Sequence, residues 1–174
     1  ACMQGFFEAL MAQMGTHPQA VATFKSGEGR PWSDHSKQCF CGTDRFFRPG
    51  YAANLISSWI PALTGVEPRL QAGAKIADIG CGHGSSSILM AKAFPNSTVH
   101  GFDFHESSIK AARKKAKKAG VENVEFEVAR AQDFPGKNYV LACVFDALHD
   151  MGDPVGAARH IRKTLKADGT LMLV

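Results

Sequence analysis

Short apolar runs alternate with longer amphipathic segments through the second half of the chain. The runs have the length and composition of buried strands, and they predict strands at residues 75–79, 98–103, 123–128, 139–145 and 169–174. Between them, apolar residues recur every three or four positions, which predicts helices at residues 85–94, 106–119 and 153–166. Strands that alternate with helices favour a parallel sheet joined by crossover helices. This half of the chain is therefore predicted to be an α/β domain.

The first half of the chain has a different pattern. Residues 4–14 and 52–63 each carry apolar side chains at helical spacing, so both are predicted to be helices. Residues 25–50 are rich in glycine, proline, serine and aspartate, and we expect irregular structure there. Residues 66–74 are expected to form a connector with one helical turn. Helical segments are thus predicted to precede the sheet.

The first predicted strand ends in an acid and continues into a glycine-rich loop. Asp78 is followed by Gly80, Gly82 and Gly84. Glycine permits positive φ and close approach of a ligand to the main chain, and the helix that follows presents unpaired N–H groups. Asp103 ends the second predicted strand, where a carboxylate can accept hydrogen bonds from a ribose. The pattern indicates a site for a nucleoside-bearing cofactor.

The spacing of the glycines bears on which nucleotide binds. The dinucleotide fingerprint is Gly-x-Gly-x-x-Gly, whereas this chain has Gly-x-Gly-x-Gly preceded by Asp78. An acid is unfavourable beside a pyrophosphate, but it suits a cofactor with a positively charged amino group. The spacing therefore favours a protein that binds a cofactor with a positively charged amino group. An NAD-dependent oxidoreductase remains the lower-ranked alternative.

Five motifs resemble those of the class I S-adenosylmethionine-dependent methyltransferases. They lie, in the family's order, at residues 78–84, 101–104, 129–135, 144–150 and 165–171. The resemblance implies a doubly wound, Rossmann-like, mostly parallel sheet with strand order 3-2-1-4-5. It also implies that residues 1–72 form an N-terminal helical or lid segment. Residues 73–174 would then be the cofactor-binding methyltransferase domain, truncated before the last two strands of the family fold.

The resemblance also implies roles for individual residues, with S-adenosyl-L-methionine as the cofactor. Asp78 would bind the cofactor ammonium and Asp103 the ribose hydroxyls. Phe104, Ala131 and Gln132 would border the adenine. The implied cofactor-binding set is Asp78, Gly80, Cys81, Gly82, Gly84, Asp103, Phe104, Ala131, Gln132, Phe145 and Asp146. His149 is the candidate catalytic base for transfer to a small-molecule acceptor, and its alternative role is that of a structural histidine.

The stretch at residues 32–51 is similar to a bacterial subgroup of these enzymes that carries an N-terminal winged-helix segment. Some members of that subgroup have been labelled transcriptional regulators. The similarity implies that residues 25–50 lie over the cofactor pocket, and that their aromatic side chains either line a substrate pocket or pack the lid onto the sheet. A cofactor-binding regulatory module without turnover is therefore the alternative function.

Charge and composition limit the other partners. The formal net charge is +4, and much of it comes from basic residues at 110–118 that lie opposite an apolar helix face. No aromatic residues are interleaved with them, so we do not predict a nucleic-acid interface. No membrane-spanning segment or signal peptide is predicted, and we expect a cytoplasmic location. Five scattered cysteines predict neither disulfides nor a metal site, and a homodimer is an expectation for the full-length protein.

Overall fold

The computed structural model describes residues 2–174, which divide into two compact units. The first unit ends at Gly50, and the second is Tyr51–Val174. The functional division between residues 72 and 73 stays a prediction. Within the described part of the chain, no helix is both long and apolar enough to cross a lipid bilayer.

Helices dominate the first unit. Helix α1 spans Cys2–Met14, α2 spans His17–Ser26, a short 3-10 turn follows at Trp32–Asp34, and α3 spans Lys37–Asn54. The helix predicted at residues 4–14 is confirmed.

The irregular structure predicted for residues 25–50 is wrong over most of its length, because α3 occupies residues 37–50. The glycine that indicated a loop serves helix packing instead. A Cβ at Gly42 would lie 2.6 Å from the backbone nitrogen of Ala9. Gly42 therefore lets the backbones of α1 and α3 approach closely, and this tertiary contact outweighs the low helix propensity of glycine.

The second unit begins with a break in helical geometry. The single helix predicted at residues 52–63 is instead the end of α3 followed by a π-helical turn, Leu55–Trp59, in which Ile60 N donates to Leu55 O at 3.1 Å. Pro61 lacks an N–H group and limits how far a regular helix can extend. Helix α4, Val66–Ala72, then leads to the sheet.

Five parallel strands form the sheet of the second unit. They are β1 (Lys75–Ile79), β2 (Thr98–Asp103), β3 (Val124–Val128), β4 (Tyr139–Val144) and β5 (Leu165–Leu173). Their order is β3-β2-β1-β4-β5, which confirms the predicted doubly wound arrangement. The crossover helices are α5 (Ser85–Ala93), α6 (Glu106–Ala119) and α7 (Pro154–Thr164).

Apolar residues are buried on both faces of the sheet. One cluster combines residues of alternating strand positions, such as Ile76 and Cys143, with Leu70 of α4 and Met90 of α5. A second cluster combines the intervening positions with Ile161 of α7. Because both faces are covered, β4 is apolar and buried along its whole length, whereas the edge strand β3 alternates apolar and acidic residues.

Glycine marks the end of a helix and proline its start, so the sequence predicts helix boundaries at Gly120, Pro154 and Gly169. The first two are confirmed and the third is wrong. Helix α6 ends at Gly120, which has a φ of 64°, and α7 begins at Pro154 after Asp153, whose carboxylate accepts a bond from Gly156 N at 2.8 Å. However, α7 ends at Thr164, and Gly169 lies inside β5 rather than at the end of the helix. The pairing of β5 with β4 shifts there, and a Cβ at Gly169 would lie 2.8 Å from Tyr139 O. Gly169 is needed for that close approach.

Candidate functional site

Three loops leave the sheet side by side at the carboxyl ends of the central strands. Ile79, the last residue of β1, is paired with Phe102 of β2 and with Val144 of β4. The chain order reverses at β1, because its crossover leads to β2 on one side while β4 lies on the other. A crevice at such a switch point is where open α/β sheets bind ligands.

Backbone hydrogen bonds hold the loop after β1 in a fixed shape. Gly80 N and Cys81 N both donate to Phe102 O, at 2.8 and 3.0 Å, and Gly84 N donates to Cys81 O at 2.8 Å. The Cys81 side chain is buried with Ile88 of α5, so Cys81 can offer a ligand only its main chain. Burial also raises the pKa of the Cys81 thiol well above its usual value.

The three loop glycines all have positive φ, but they serve different purposes. A Cβ at Gly80 would lie 2.8 Å from the Cβ of Ala147, and one at Gly84 would lie 2.6 Å from the Phe126 ring. These two glycines are required by packing. A Cβ at Gly82, where φ is 52°, would meet no described atom within 4 Å. Gly82 therefore faces open space in which a ligand can approach the main chain.

Asp103 connects this loop to the end of β2. Its Oδ2 accepts a hydrogen bond from Gly82 N at 2.9 Å, and its Oδ1 accepts one from His105 N at 2.9 Å. Burial raises the pKa of Asp103, and these two backbone donors oppose that rise. Each oxygen keeps a lone pair for a further donor, so the carboxylate can both fix the loop and bind a diol.

Asp78 is fully buried at the end of β1 beneath the first turn of α5. The hydroxyls of Ser86 and Ser87 both donate to its Oδ2 at 2.6 Å. Its Oδ1 is the one buried side-chain oxygen or nitrogen of residues 2–174 without a hydrogen-bond partner. Burial raises the pKa of Asp78 to about 6, the two serine hydroxyls oppose the rise, and Asp103 adds to it. A buried carboxyl group with an unpaired oxygen is costly to stability and indicates a functional role.

The residues expected around an adenine lie beside Asp103. Phe104 is 48% exposed, and Ala129 N donates to Asp103 O at 3.1 Å, so the segment that carries Ala131 and Gln132 starts at the same strand end. The Gln132 side chain donates to Asp153 O at 3.1 Å. The fold thus brings these predicted residues to one edge of the sheet.

The loop after β4 carries the remaining predicted residues. Phe145 is buried against the first apolar cluster, so its side chain faces the core. Asp146 has a φ of 49°, and its N–H donates to Val174 O at 2.8 Å. The His149 side chain is 64% exposed, with Nδ1 3.9 Å from Asp146 Oδ1 and Nε2 3.5 Å from Asp150 Oδ1. His149 is therefore accessible to an acceptor and lies between two carboxylates.

Sequence patterns did not predict the contacts of three residues near the site. Ser86 and Ser87 were not recognised as partners of the buried acid, although hydroxyl residues in the first turn after a glycine loop were the available signal. Trp59 stacks on Phe145 at a centroid distance of 6.2 Å. The position of Trp59 depends on the π-helical turn, which no sequence pattern predicted.

A groove in the described chain lies away from this crevice. It has a volume of about 520 Å³ and runs between the end of α6 and the start of β3, at the opposite edge of the sheet. Basic residues such as Lys117 and acidic residues such as Glu122 line it together. This mixed lining indicates no particular ligand.

Comparison with known proteins is consistent with the geometry of the crevice. Residues 70–174 match the family model of a methyltransferase domain. The chain is 31% identical over 109 residues to a demethylmenaquinone methyltransferase of Listeria welshimeri, an alignment that covers 61% of this chain and 46% of that protein. It is 27% identical over 164 residues to a ubiquinone biosynthesis O-methyltransferase of Acinetobacter baylyi, covering 91% of this chain and 62% of that protein.

Solved structures share the fold. A SAM-dependent methyltransferase from Aquifex aeolicus superposes with a TM-score of 0.57 at 19% identity, covering 72% of this chain and 71% of that chain. The chain spans about half the length of the Listeria protein and somewhat under two thirds of the Acinetobacter protein.

Proposed function

Because the chain belongs to the family of methyltransferase domains, we propose that it transfers a methyl group from S-adenosyl-L-methionine to a small-molecule acceptor. The observation that carries this proposal is the buried Asp78 carboxyl group, whose Oδ1 has no partner in the described chain. A cofactor ammonium is the kind of donor that would satisfy this oxygen, and a charge-assisted bond of this kind is among the stronger hydrogen bonds in proteins.

The other residues of the crevice fit the remaining parts of this cofactor. The open main chain at Gly82 would border the methionine part, and the Asp103 carboxylate would accept bonds from the ribose hydroxyls. Phe104, Ala131 and Gln132 would border the adenine. A pyrophosphate-bearing cofactor fits less well, because Asp78 would place an acid beside its negative charge.

The chain has little covalent chemistry to perform. The cofactor, when bound, supplies a methyl group on a sulfonium centre that is already a good leaving group. The loops after β1 and β4 bring the two reactants together, and such positioning supplies on the order of 7–11 kcal/mol of barrier reduction in favourable cases. Gly80 packs directly against Ala147 of the β4 loop, so the two sides of the crevice are held at a fixed separation.

His149 is the proposed base for an acceptor that must lose a proton. Its ring is exposed beside the crevice, and the carboxylates of Asp146 and Asp150 lie within 4 Å of its two nitrogens. These carboxylates would orient the ring for proton transfer from the acceptor. A base in this position contributes typically about 10²–10⁴-fold.

The relatives favour a small molecule as acceptor. The Listeria protein is named for demethylmenaquinone and the Acinetobacter protein for ubiquinone biosynthesis. Neither name describes a protein or nucleic-acid substrate. We extend this property to the present chain as part of the proposal.

A ligand-stabilisation experiment tests the proposal. S-adenosylhomocysteine at 100 times its dissociation constant should stabilise the protein by about 2.7 kcal/mol, measured as a shift of the thermal unfolding midpoint, and NADH should not. Incubation with S-adenosylmethionine and an acceptor should then release S-adenosylhomocysteine. Stabilisation by NADH alone would contradict the proposal, and binding without turnover of any acceptor would favour a regulatory module.

A further inference from the structure

Three aromatic side chains form a continuous surface beside the crevice. The rings of Tyr51 and Phe145 have centroids 5.3 Å apart, and those of Trp59 and Phe145 are stacked at 6.2 Å with an interplanar angle of 29°. Tyr51 and Trp59 meet edge to face at 6.3 Å. We call these three residues, which all belong to the second unit, the aromatic wall.

The aromatic wall lies next to the glycine loop. Phe145 directly follows Val144, which is paired with Ile79, the residue before Gly80. Phe145 also shares its apolar cluster with Cys143, and Cys143 is paired with Asp78. Residues two apart along a strand point to the same face of the sheet. The aromatic wall therefore occupies the same face and the same edge as the Asp78 carboxyl group.

The three rings differ in exposure. Phe145 is only 6% exposed, whereas Tyr51 and Trp59 are partly exposed and pack on the edge of the apolar cluster. A buried ring with two partly exposed rings around it is typical of a pocket wall that a flat ligand can extend. Rings that served the core alone would be expected to be buried to the same degree as Phe145.

The backbone that carries Trp59 supports a functional role. Trp59 is the last residue of the π-helical turn Leu55–Trp59. A π turn contains one residue more than an α turn, which rotates the following side chains by about 100° around the helix axis. Such turns are rare, cost helical stability and occur frequently at functional sites. Here the turn places the indole of Trp59 over the Phe145 ring.

We propose that the aromatic wall binds the methyl acceptor and that the acceptor is a planar aromatic ring carrying a hydroxyl group, such as a phenol or a hydroquinone. This inference rests on the proposed function and names its substrate class. The acceptor ring packs on Tyr51 and Trp59, and its hydroxyl faces the loop that carries His149.

The chemistry of this acceptor balances with the groups present. The phenolic oxygen forms a bond to the methyl carbon while the carbon–sulfur bond breaks, and the electron pair of that bond stays on sulfur. The phenolic proton goes to His149. No oxidant or reductant is needed, and an aryl methyl ether is the product.

The tryptophan content of the chain offers a direct test. The chain has two tryptophans, Trp32 and Trp59, so a Trp32→Phe variant retains Trp59 as its single indole emitter. We would titrate this variant, saturated with S-adenosylhomocysteine, with 1,4-naphthoquinone as a quenching aromatic probe. Cyclohexane-1,4-dione has the same carbonyl arrangement without an aromatic system and serves as the control ligand. We expect saturable quenching by the quinone and no saturable effect of the dione.

Substitutions in the wall separate stacking from simple proximity. Tyr51→Leu should weaken quinone binding at least tenfold, whereas Tyr51→Phe, which keeps the ring, should stay within twofold of the parent. Phe24→Leu removes an aromatic ring that is 90% exposed in the first unit and should change nothing. Unfolding of Tyr51→Leu would be visible as lost S-adenosylhomocysteine binding, and the same comparison would then be made with Tyr51→Met, which also lacks an aromatic ring.

The outcomes are distinguishable. If S-adenosylhomocysteine binds but quenching by the quinone is linear and equal to that of free tryptophan amide, the aromatic-acceptor inference is overturned and the proposed function stands. Equal binding of the quinone to Tyr51→Leu and Tyr51→Phe would overturn it as well. Failure of S-adenosylhomocysteine to bind at all would instead remove the proposed function.

Discussion

The loop after β1 and the loop after β4 lie against each other, but different interactions determine their shapes. Main-chain hydrogen bonds and glycines shape the first loop, which lies between the buried Asp78 of β1 and the half-buried Asp103 of β2. Side chains shape the second, from the packed ring of Phe145 to the exposed imidazole of His149. Recognition through the main chain tolerates few sequence changes, whereas recognition through side chains can be altered one residue at a time. The same fold can therefore keep one cofactor while its acceptor changes.

The two acids that flank the first loop, Asp78 and Asp103, differ in how their oxygens are paired. Asp103 accepts bonds from two backbone N–H groups, one on each oxygen. Asp78 has both of its hydroxyl donors on a single oxygen and none on the other. The acid that is already paired can hold the loop without a ligand, while the unpaired oxygen of Asp78 is the one that we propose to bind the cofactor ammonium.

The largest expected effect is a loss of turnover when His149, in the loop after β4, is replaced. His149→Ala should lower methyl transfer to 3,4-dihydroxybenzoate by about 10²–10⁴-fold without changing the affinity for S-adenosylhomocysteine, because the base acts only on the acceptor. Release of S-adenosylhomocysteine measures the rate. His17→Ala, at an exposed histidine of the first unit, is the control. Equal rates for His149→Ala and the parent would give His149 a structural role.

Next in size is the loss of cofactor affinity when the open position in the β1 loop is filled. Gly82→Val should weaken S-adenosylhomocysteine binding by at least about 100-fold, since the side chain would occupy the space of the ligand. Gly120→Val is a matched control, because Gly120 also has positive φ, 64°, and no described atom within 4 Å of a Cβ. Both variants should lose comparable stability from backbone strain, of order 1–3 kcal/mol.

Calorimetric titration and urea unfolding of the two glycine variants separate strain from ligand contact. Normal binding by Gly82→Val would show that the ligand does not approach this loop. Lost binding in both variants would mean that strain alone explains the result.

The unpaired acid predicts a pH dependence of stability. The pKa of Asp78 is raised to about 6 in the folded protein from its ordinary value of 3.8. The folded state therefore binds more protons between these values, and its stability falls as pH rises from about 4 to about 6, by about 3 kcal/mol for this group. Asp78→Asn should remove that part of the decline, make the ligand-free protein more stable than the parent at pH 8, and lose cofactor affinity.

Urea unfolding of the parent and Asp78→Asn from pH 4 to pH 8 measures this difference. Asp103, whose pKa is also raised by burial, contributes in the same direction to both proteins, so the difference between them reports Asp78 together with its coupling to Asp103. Parallel pH profiles for the two proteins would contradict a raised pKa of Asp78 in the folded protein.

A smaller effect is expected at the paired acid. Asp103→Ala should weaken S-adenosylhomocysteine binding about tenfold or more, because a hydrogen bond that involves a charged group contributes roughly 1.5–3 kcal/mol. Calorimetry gives the dissociation constant. Asp168→Ala removes a surface partner of Arg69 and should leave binding unchanged. Unchanged binding in Asp103→Ala would remove the ribose role and leave Asp103 as a loop anchor.

Sequence patterns predicted the central strands and the glycine loop after β1 well, because the signals for these elements are local. Strand length, glycine spacing and an acid at a strand end are all properties of neighbouring residues. The β4 side depends on distant contacts. Trp59 reaches Phe145 only through a π turn. The β1 side has one such contact as well, because Ser86 and Ser87 pair with Asp78 only once α5 packs over the end of β1.

The misjudged helix in the first unit has the same origin. Gly42 reads as a helix breaker in isolation, yet its lack of a side chain is what lets α3 pack against α1. Gly169 likewise reads as the end of a helix but serves a close strand contact in β5. The sequence alone does not show whether a glycine ends a helix or permits close packing, because the segment that packs against it is distant in sequence.

The most direct test of the account is a crystal structure of the protein with S-adenosylhomocysteine. We predict that the ligand amino group lies about 3 Å from Asp78 Oδ1, directly or through one water, and that the ribose hydroxyls bond the Asp103 carboxylate. A ligand bound elsewhere, with Asp78 Oδ1 still unpaired, would contradict the account.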